Sequence, residues 1–552
     1  GQLKTFDFAV ANPPFSNKNW TSGINPDEDQ FGRFTWGIPP EKNGDYTFLL
    51  HIIKSLRSTG KGAVILPHGV LFRGNAEARI RENLIRQGYI KGIIGLPANL
   101  FYGTGIPACI IVIDKEQART RREIFMVDAS KGFIKDGNKN RLRSQDIHKI
   151  VDVFTKQQEL DRYSRRVSFS EIAANEYNLN IPRYIDSSEP EDLHDLSAHL
   201  KGGIPNRDID ALDHYWQVFP SIRATLFYDE RAGYSQGLLP AAQVKSSILD
   251  HPEFKAFAAR SLLPFKAWIE QIALEQVRTG DKPKELIFDI SEALLEQYAH
   301  SELLSKYDIY QILMNYWAET MQDDIYVITQ DGWQGANTLR ELVVKKGEKL
   351  KETPDLIIKT IKYKTEVIPP QLIVNRYFTT EQIELSKLQA ELDSASQALD
   401  TYLEDNSGEE GALSEALNDK DKITKASVAA RLKLATDNEE MAALKQAKKL
   451  FNAEAATKKA VKIAQDELNL LVFQQYPTLS EDEIKCLVID DKWLATLKTN
   501  IQAEIERVTQ QLANRVTELE ERYAEPLPQI TQSVEDLSDK VAGHLKAMGL
   551  EW

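Results

Sequence analysis

Residues 6–15 read FDFAVANPPF. FDFAVAN has the composition of a strand, and the Pro-Pro-Phe after it can hardly continue any regular structure. Proline fixes φ, lacks an N–H and pushes its predecessor toward extended conformations. Pro13-Pro14 is therefore a stiff corner just beyond the strand. The Asn12 side-chain oxygen and the Pro13 carbonyl can both point into one pocket there, and each is an acceptor. An exocyclic amine with two hydrogens needs two acceptors. Once both hydrogens are accepted, the nitrogen lone pair is less committed to the ring and better placed to attack an electrophilic methyl. The Phe15 ring offers a face on which a flat base stacks, and such a base must first leave its duplex. The bland alternative is a tight turn that happens to contain Pro-Pro. GIPPEK and VIPPQL in the same chain illustrate it, having neither Asn before nor an aromatic after.

Outward from this corner, Asp45 can cap a helix running through Tyr46, Phe48, Leu49, Ile52, Ile53 and Leu56, which recur at helical spacing, and Gly60-Lys61-Gly62 stops it. AVILP (63–67) is a short strand, and a helix comes next over about 75–87. YIKGIIGLP and ACIIVIDK are two more strands, joined by the Gly/Pro-rich loop ANLFYGTGIP. This alternation predicts an α/β fold with a parallel sheet. Ligands of such sheets bind at the carboxyl ends of strands, where Asn12–Phe15 lies.

A chain of 552 residues exceeds one core, and the composition predicts about three or four units. Residues 1–200 hold the α/β pattern and then a mixed, basic stretch. Residues 201–380 open with the loop KGGIPNRDID and are mostly helical, with interruptions at QDGWQG and VIPPQL. Residues 381–552 form a long-helix tail. There Leu385, Leu388, Leu392, Ala395, Leu399 and Tyr402 alternate in steps of 3 and 4, a coiled-coil seam, which the acidic EDNSGEEG (404–411) interrupts. A second stripe, Leu494, Leu497, Ile501, Ile505, Val508, Leu512, Val516, Leu519 and Tyr523, predicts a nearly straight or slightly right-handed helix. Its partner is another helix of this chain or another subunit. Pro526 and Pro528 end it, and a last helix covers about 533–548.

The formal net charge is −14, which does not describe a protein gripping phosphates over its whole surface. Basic residues cluster locally: Arg119, Arg121 and Arg122; Lys139, Arg141 and Arg143; Arg162, Arg165 and Arg166. They are either solvated surface or a phosphate-facing strip, and Arg119, Arg121, Arg122, Arg141 and Arg143 are the candidates for DNA phosphates. Cys109 and Cys486 are the only cysteines, which excludes a disulfide framework or a cysteine-rich zinc site. No window approaches the ~20 apolar residues of a membrane span, and the start does not resemble a signal peptide. The cytoplasm is the expected compartment.

FDFAVANPPF, GDYTFLLHIIKSLRSTGKGAVILPHGVLFRG, IKGIIGLPANLFYGTGIPACIIVIDK, NRLRSQDIHKIV and EYNLNIPRY succeed one another in an order that closely resembles the modification subunit of type I restriction-modification systems, over about residues 3–186. KYDIYQILMNYWAETMQDDIY (306–326) is similar to a segment of the longer members. The resemblance implies a Rossmann-like domain that transfers a methyl group from S-adenosylmethionine to adenine in duplex DNA, without a metal. It implies that Asn12 and Pro13 accept from the target amine and that Phe15 stacks on the flipped adenine. Pro14 and Phe48 match positions lining the adenine of the cofactor, although the helix core is an equally good role for Phe48. Phe101 matches loosely a second aromatic wall, with loop packing as its alternative. His68 reads as structural.

The implied partners are a specificity subunit, a restriction subunit and double-stranded DNA. The glycine-containing cofactor loop of the family lies upstream of its Asn-Pro-Pro-Phe, and no counterpart precedes Asn12 here. With Gly1 first, an N-terminal portion is expected to be missing, the chain alone is expected to bind the cofactor poorly and be inactive, and the FDFAVA strand is expected to be left as a bare sheet edge. The competing readings are a non-catalytic assembly fragment and a methyltransferase acting on a glutamine side-chain amide.

Overall fold

The alternation of apolar strands and amphipathic helices builds one six-stranded sheet with helices on both faces. Its elements are β1 (Phe6–Ala11), α1 (Asp45–Ser55), β2 (Leu56–Pro67), α2 (Asn75–Arg86), β3 (Ile90–Gly95), β4 (Ala108–Asp114), β5 (Glu123–Asp128), the hairpin β6 (Ile134–Asp136) and β7 (Lys139–Arg141), α3 (Ser144–Lys156) and β8 (Ser164–Ser168). The strand order is β1-β2-β4-β3-β5-β8. The computed structural model describes residues 2–188, 193–343, 350–408, 411–418 and 422–549.

The parallel sheet expected from the pattern is corrected to a mixed one. β1 and β2 are parallel, as are β3 and β5, whereas β4 runs antiparallel to both β2 and β3, and β8 antiparallel to β5. Parallel neighbours need a long crossover, usually helical. The Gly/Pro-rich stretch between β3 and β4 carries no helix, so β4 turns straight back. β1, β2, β3 and β5 consequently share one direction, and their carboxyl ends lie along one edge of the sheet. β2 is also longer than expected, starting at Leu56, because α1 stops at Ser55 and not at the Gly60-Lys61-Gly62 stretch.

Alternation within the strands splits the core in two. Val64, Leu66, Ile93, Cys109 and Ile111 face one side with Leu49, Leu50 and Ile53 of α1 and Leu84 of α2. Ile94, Phe125 and Val127 face the other with Ile150 and Val153 of α3. β1 is half covered. Ala9 and Ala11 pack into the first core, while Phe6, Phe8 and Val10 are 49, 76 and 81% exposed on a strand that, among the described residues, pairs only with β2.

Two compact units divide the chain. One comprises Gly1–Ala259, Tyr298–Met314 and Glu506–Trp552, and the other Arg260–Gln297 and Asn315–Ile505. Residues 306–314 belong to the first unit because Asp152 of α3 accepts from Lys306 Nζ at 2.9 Å and from the Tyr307 hydroxyl at 2.7 Å. Gln145 adds a bond from its side chain to Asp308 at 2.6 Å. The mostly helical stretch also holds two small sheets that its sequence does not announce. Ile204–Pro205, Phe227–Arg231 and Tyr234–Gly237 form one, in the first unit, and Leu339–Glu341, Leu356–Ile358 and Ile361–Thr365 the other, in the second. Their strands are short and charged, as in FYDER and IKYKT, so the apolar period is lost.

In the second unit the helix Thr379–Asn406 packs along Asn438–Gln475, with Leu385 and Leu399 of the predicted seam buried. The first three residues of the acidic stretch, Glu404, Asp405 and Asn406, end the first of these helices, and its Glu409 and Glu410 lie outside the described residues. All nine positions of the second stripe, from Leu494 to Tyr523, are buried. The last helix, Leu527–Ala547, buries no residue, and Ile530, Val534, Leu537 and Val541 stand exposed along it.

Glu520, on the helix Ala495–Tyr523, has a buried Oε1 with no hydrogen-bond partner among the described residues, and burial pushes its carboxyl from 4.5 up to about 7. A raised carboxyl favours the native state while it is protonated. Its contribution is complete below the unfolded value and fades as pH climbs through the folded one. Glu520→Gln is expected to match the parent near pH 4.5 and to exceed its stability at pH 8 by about 1 kcal/mol, read from urea unfolding at both pH values. Equal curves at pH 8 would show that the carboxyl ionises without cost.

Candidate active site

β1 delivers Asn12 to the sheet edge where β2, β3 and β5 also end. Asn12 and Pro14 are exposed, and Pro13 and Phe15 half-buried. Neither Asn12 Oδ1 nor the Pro13 carbonyl accepts a hydrogen bond among the described residues. The corner therefore holds two uncommitted acceptors beside an aromatic ring.

The segment after the corner is fixed in place. Ser16 adopts φ 52°, and its N–H donates to Asp45 Oδ1 at 2.7 Å. The Gly44 N–H donates to the Asn17 carbonyl at 2.9 Å. A Cβ at Gly44 would come within 2.7 Å of the Trp20 side chain, so only glycine permits this approach. Trp20 is buried, and its indole N–H donates to the Pro40 carbonyl at 2.9 Å.

Asp45 does not cap α1 as its position suggests. Gly44 is the residue before the helix and makes no side-chain cap bond. The Asp45 carboxylate, 1% exposed, instead joins the corner to a buried ionic cluster. Its Oδ2 accepts from Arg73 Nη1 at 2.9 Å, and the same nitrogen donates to Glu77 Oε1 at 3.1 Å. One guanidinium thus sits between two buried carboxylates. Burial pushes the Glu77 carboxyl above its usual range even with Arg73 against it. Behind them Arg81, 2% exposed, donates to the carbonyls of Tyr177, Val70 and Arg73 at 2.7, 3.1 and 3.0 Å.

Three strand spacings separate β1 from β3, roughly 14 Å, yet the loops beyond them meet. The ring of Phe101, between β3 and β4, lies 5.7 Å from that of Phe15 at an interplanar angle of 71°, edge to face. Phe48 is half-buried on α1. His68 comes directly after β2; its N–H donates to the Pro107 carbonyl at 2.9 Å, and its ring lies 6.0 Å from Phe72. Burial pushes the imidazole below its ordinary value, with Asp128 opposing.

The arginines separate by role. Arg121 is turned inward to the carbonyls of Gly88 and, at 2.7 Å, Asp114. Arg122 donates to the carbonyls of Arg119 and Arg121, at 2.9 and 2.7 Å, and Arg119 is exposed. Arg141 pairs with Asp136 at 3.2 Å on the surface. Arg143 is held by Asp146 through two bonds of 2.9 Å at the start of α3. Asp45 and Arg73 hold the corner, and sequence reasoning passes over both in that role: Asp45 carries the signature of a cap, and Arg73 carries none.

Residues 1–193 match the family described as N-6 DNA methylase. The chain is 30% identical over 244 residues to the type I restriction enzyme MjaVII methylase subunit of Methanocaldococcus jannaschii, covering 43% of this chain and 40% of that relative. It is 32% identical over 214 residues to the HindI methylase subunit of Haemophilus influenzae, covering 36% and 47%. A type I restriction-modification methyltransferase subunit from Streptococcus thermophilus is 41% identical over 34% of this chain and 39% of that one, with a TM-score of 0.32. The chain spans less than half the length of these relatives. The Asn-Pro-Pro-Phe corner at the end of the first strand lies within residues 1–193, the stretch that is similar to the N-6 DNA methylase family.

Proposed function

We propose that the chain is the modification subunit of a type I restriction-modification system and contributes the target-base half of a Rossmann-like adenine methyltransferase site. The observation that carries the reading is the pair of uncommitted acceptors, Asn12 Oδ1 and the Pro13 carbonyl, on a corner locked by Asp45. They accept the two hydrogens of the adenine amine, and Phe15 and Phe101 flank the extruded base. The dipoles aim at positive charge developing on the nitrogen, so the work is positioning and electrostatic stabilisation. No base is required before attack, since the nitrogen can lose its proton afterwards.

S-Adenosylmethionine, when bound, supplies the electrophilic methyl. The exposed Pro14 and half-open Phe48 fit the flat end of that cofactor and would hold it. The bare side chains of Phe6, Phe8 and Val10 give the neighbouring surface room for further chain to complete the cofactor site. Sequence-specific reading falls to a specificity subunit, in keeping with the net charge of −14. The apolar row Ile530, Val534, Leu537 and Val541 suits docking of that subunit, and a restriction subunit joins the same complex. Arg119, Arg122 and Arg141 are the better placed of the basic candidates for DNA phosphates, all three being exposed. Among the described residues no helix is long and apolar enough to cross a membrane.

The test is methyl transfer by the complex purified with its native subunits, using labelled S-adenosylmethionine and duplex DNA. The expected product after nuclease digestion is N6-methyldeoxyadenosine. Label recovered on a protein glutamine instead, or on neither, overturns the proposal.

A further inference from the structure

The loop that carries Phe101 is fastened from outside. Its two flanks are conformationally special: Asn99 has φ 56° and Gly103 φ 78°, and nothing approaches the Gly103 Cβ position. Between them the backbone runs free of regular structure, and its carbonyls need partners. The β6–β7 hairpin supplies these. Lys139 Nζ donates to the Phe101 carbonyl at 2.8 Å and to the Thr104 carbonyl at 2.9 Å. Asn140 donates from its amide to Ala98 at 2.7 Å and from its backbone N–H to Asn99 at 3.0 Å. Asn140 is 6% exposed, and Lys139 makes no ion pair among the described residues. Bonds to an ammonium are stronger than neutral ones, so two carbonyl dipoles, one of them that of Phe101 itself, converge on one cation.

We infer that Lys139 and Asn140 are positioning residues, which fix the backbone of the Phe101 loop so that its ring closes the pocket opposite Phe15. The inference rests on the reading of Phe15 and Phe101 as the walls around the extruded base. In the present arrangement Phe101 meets Phe15 edge-on. A base lying flat on Phe15 displaces that ring, and the ring can turn about its own side-chain torsions because the clamp holds only the backbone. Lys139 is therefore not one more phosphate-facing cation of its basic cluster, since its charge is spent on the protein.

Because Asn140 is buried, Lys139 carries the test. The first readout uses this chain by itself, with 4-fluorophenylalanine at position 101 and ¹⁹F NMR. Lys139→Met is expected to narrow the resonance and move it toward that of the free amino acid, while the same label at the buried Phe125 stays put. Lys139→Arg, which keeps two donors, is expected to restore the parent spectrum. The second readout uses the intact methylase complex. Lys139→Met is expected to lower kcat at least tenfold with DNA affinity unchanged, as is Phe101→Ala. If Lys139→Met leaves both spectrum and kcat unchanged while Phe101→Ala is impaired, the positioning role is overturned and the base-pocket reading stands. If Phe101→Ala methylates normally, the wall assignment fails and takes the positioning role with it.

Discussion

Asn12→Ala in the intact complex is expected to lower the rate of adenine methylation ~10²–10³-fold, leaving subunit assembly and DNA affinity near those of the parent. The loss comes from the site's arithmetic of acceptors. The amine carries two hydrogens, the corner offers two oxygens, and neither is committed elsewhere among the described residues. Removing Asn12 Oδ1 leaves one amine hydrogen without its acceptor, and the nitrogen lone pair returns to the ring. Asn12 is exposed, so shortening its side chain is not expected to unfold the chain. The expected signature is a fall in kcat with little change in KM for DNA. Normal methylation by Asn12→Ala refutes the assignment of the corner. A rise in KM alone, with kcat kept, does so too, because it would make Asn12 a residue for binding and not for the reacting atom.

The second large effect is on stability. Arg73→Met is expected to cost about 3 kcal/mol, at the lower end of what breaking a buried ion pair costs. The Arg73 side chain is 31% exposed, but its partners Asp45 and Glu77 are 0 and 2% exposed. Both carboxylates lose their cation at once, so the protein must bury charge or take up protons. The corner suffers as well, since Asp45 is the acceptor for Ser16 N–H. The fall is read in the urea midpoint of the first unit. Because the orphaned carboxylates can be protonated, the deficit is expected to shrink as pH is lowered toward 5. A loss below 1 kcal/mol at pH 8 would mean that the carboxylates find other partners and that the cluster does not hold the corner.

How much of this was legible before the structure differs by element. β1, α1, α2, β3 and β4 announce themselves because their apolar residues keep a period of 2 or 3.6 over enough length. The Asn-Pro-Pro-Phe corner announces itself through the backbone chemistry of proline. The sheet's mixed direction was not legible, because apolar strand composition says nothing of orientation and the absence of a helix between β3 and β4 had to be weighed. Asp45 shows the limit clearly. An acid at the first turn of a helix suggests a cap, and its actual partners, Ser16 and Arg73, are 29 and 28 residues away.

Long-range ion pairs leave no periodic trace. The same holds for the arginines. Arg119, Arg121 and Arg122 are alike in sequence, yet Arg121 is folded onto backbone carbonyls while Arg119 faces water. The bare edge expected at FDFAVA is present, with Phe6, Phe8 and Val10 exposed on the strand at the end of the sheet order.

The most direct measurement is photocrosslinking of the extruded base. Once the methylated adenine has been located in a duplex, 5-iodouracil is placed at that position, bound to the intact complex and irradiated, and the crosslinked peptide is sequenced. The crosslink is predicted at Phe15, and its yield is predicted to collapse in Phe15→Leu. A crosslink in a peptide remote from residues 12–15 and 96–107, with none at Phe15, would contradict the placement of the base at the Asn-Pro-Pro-Phe corner.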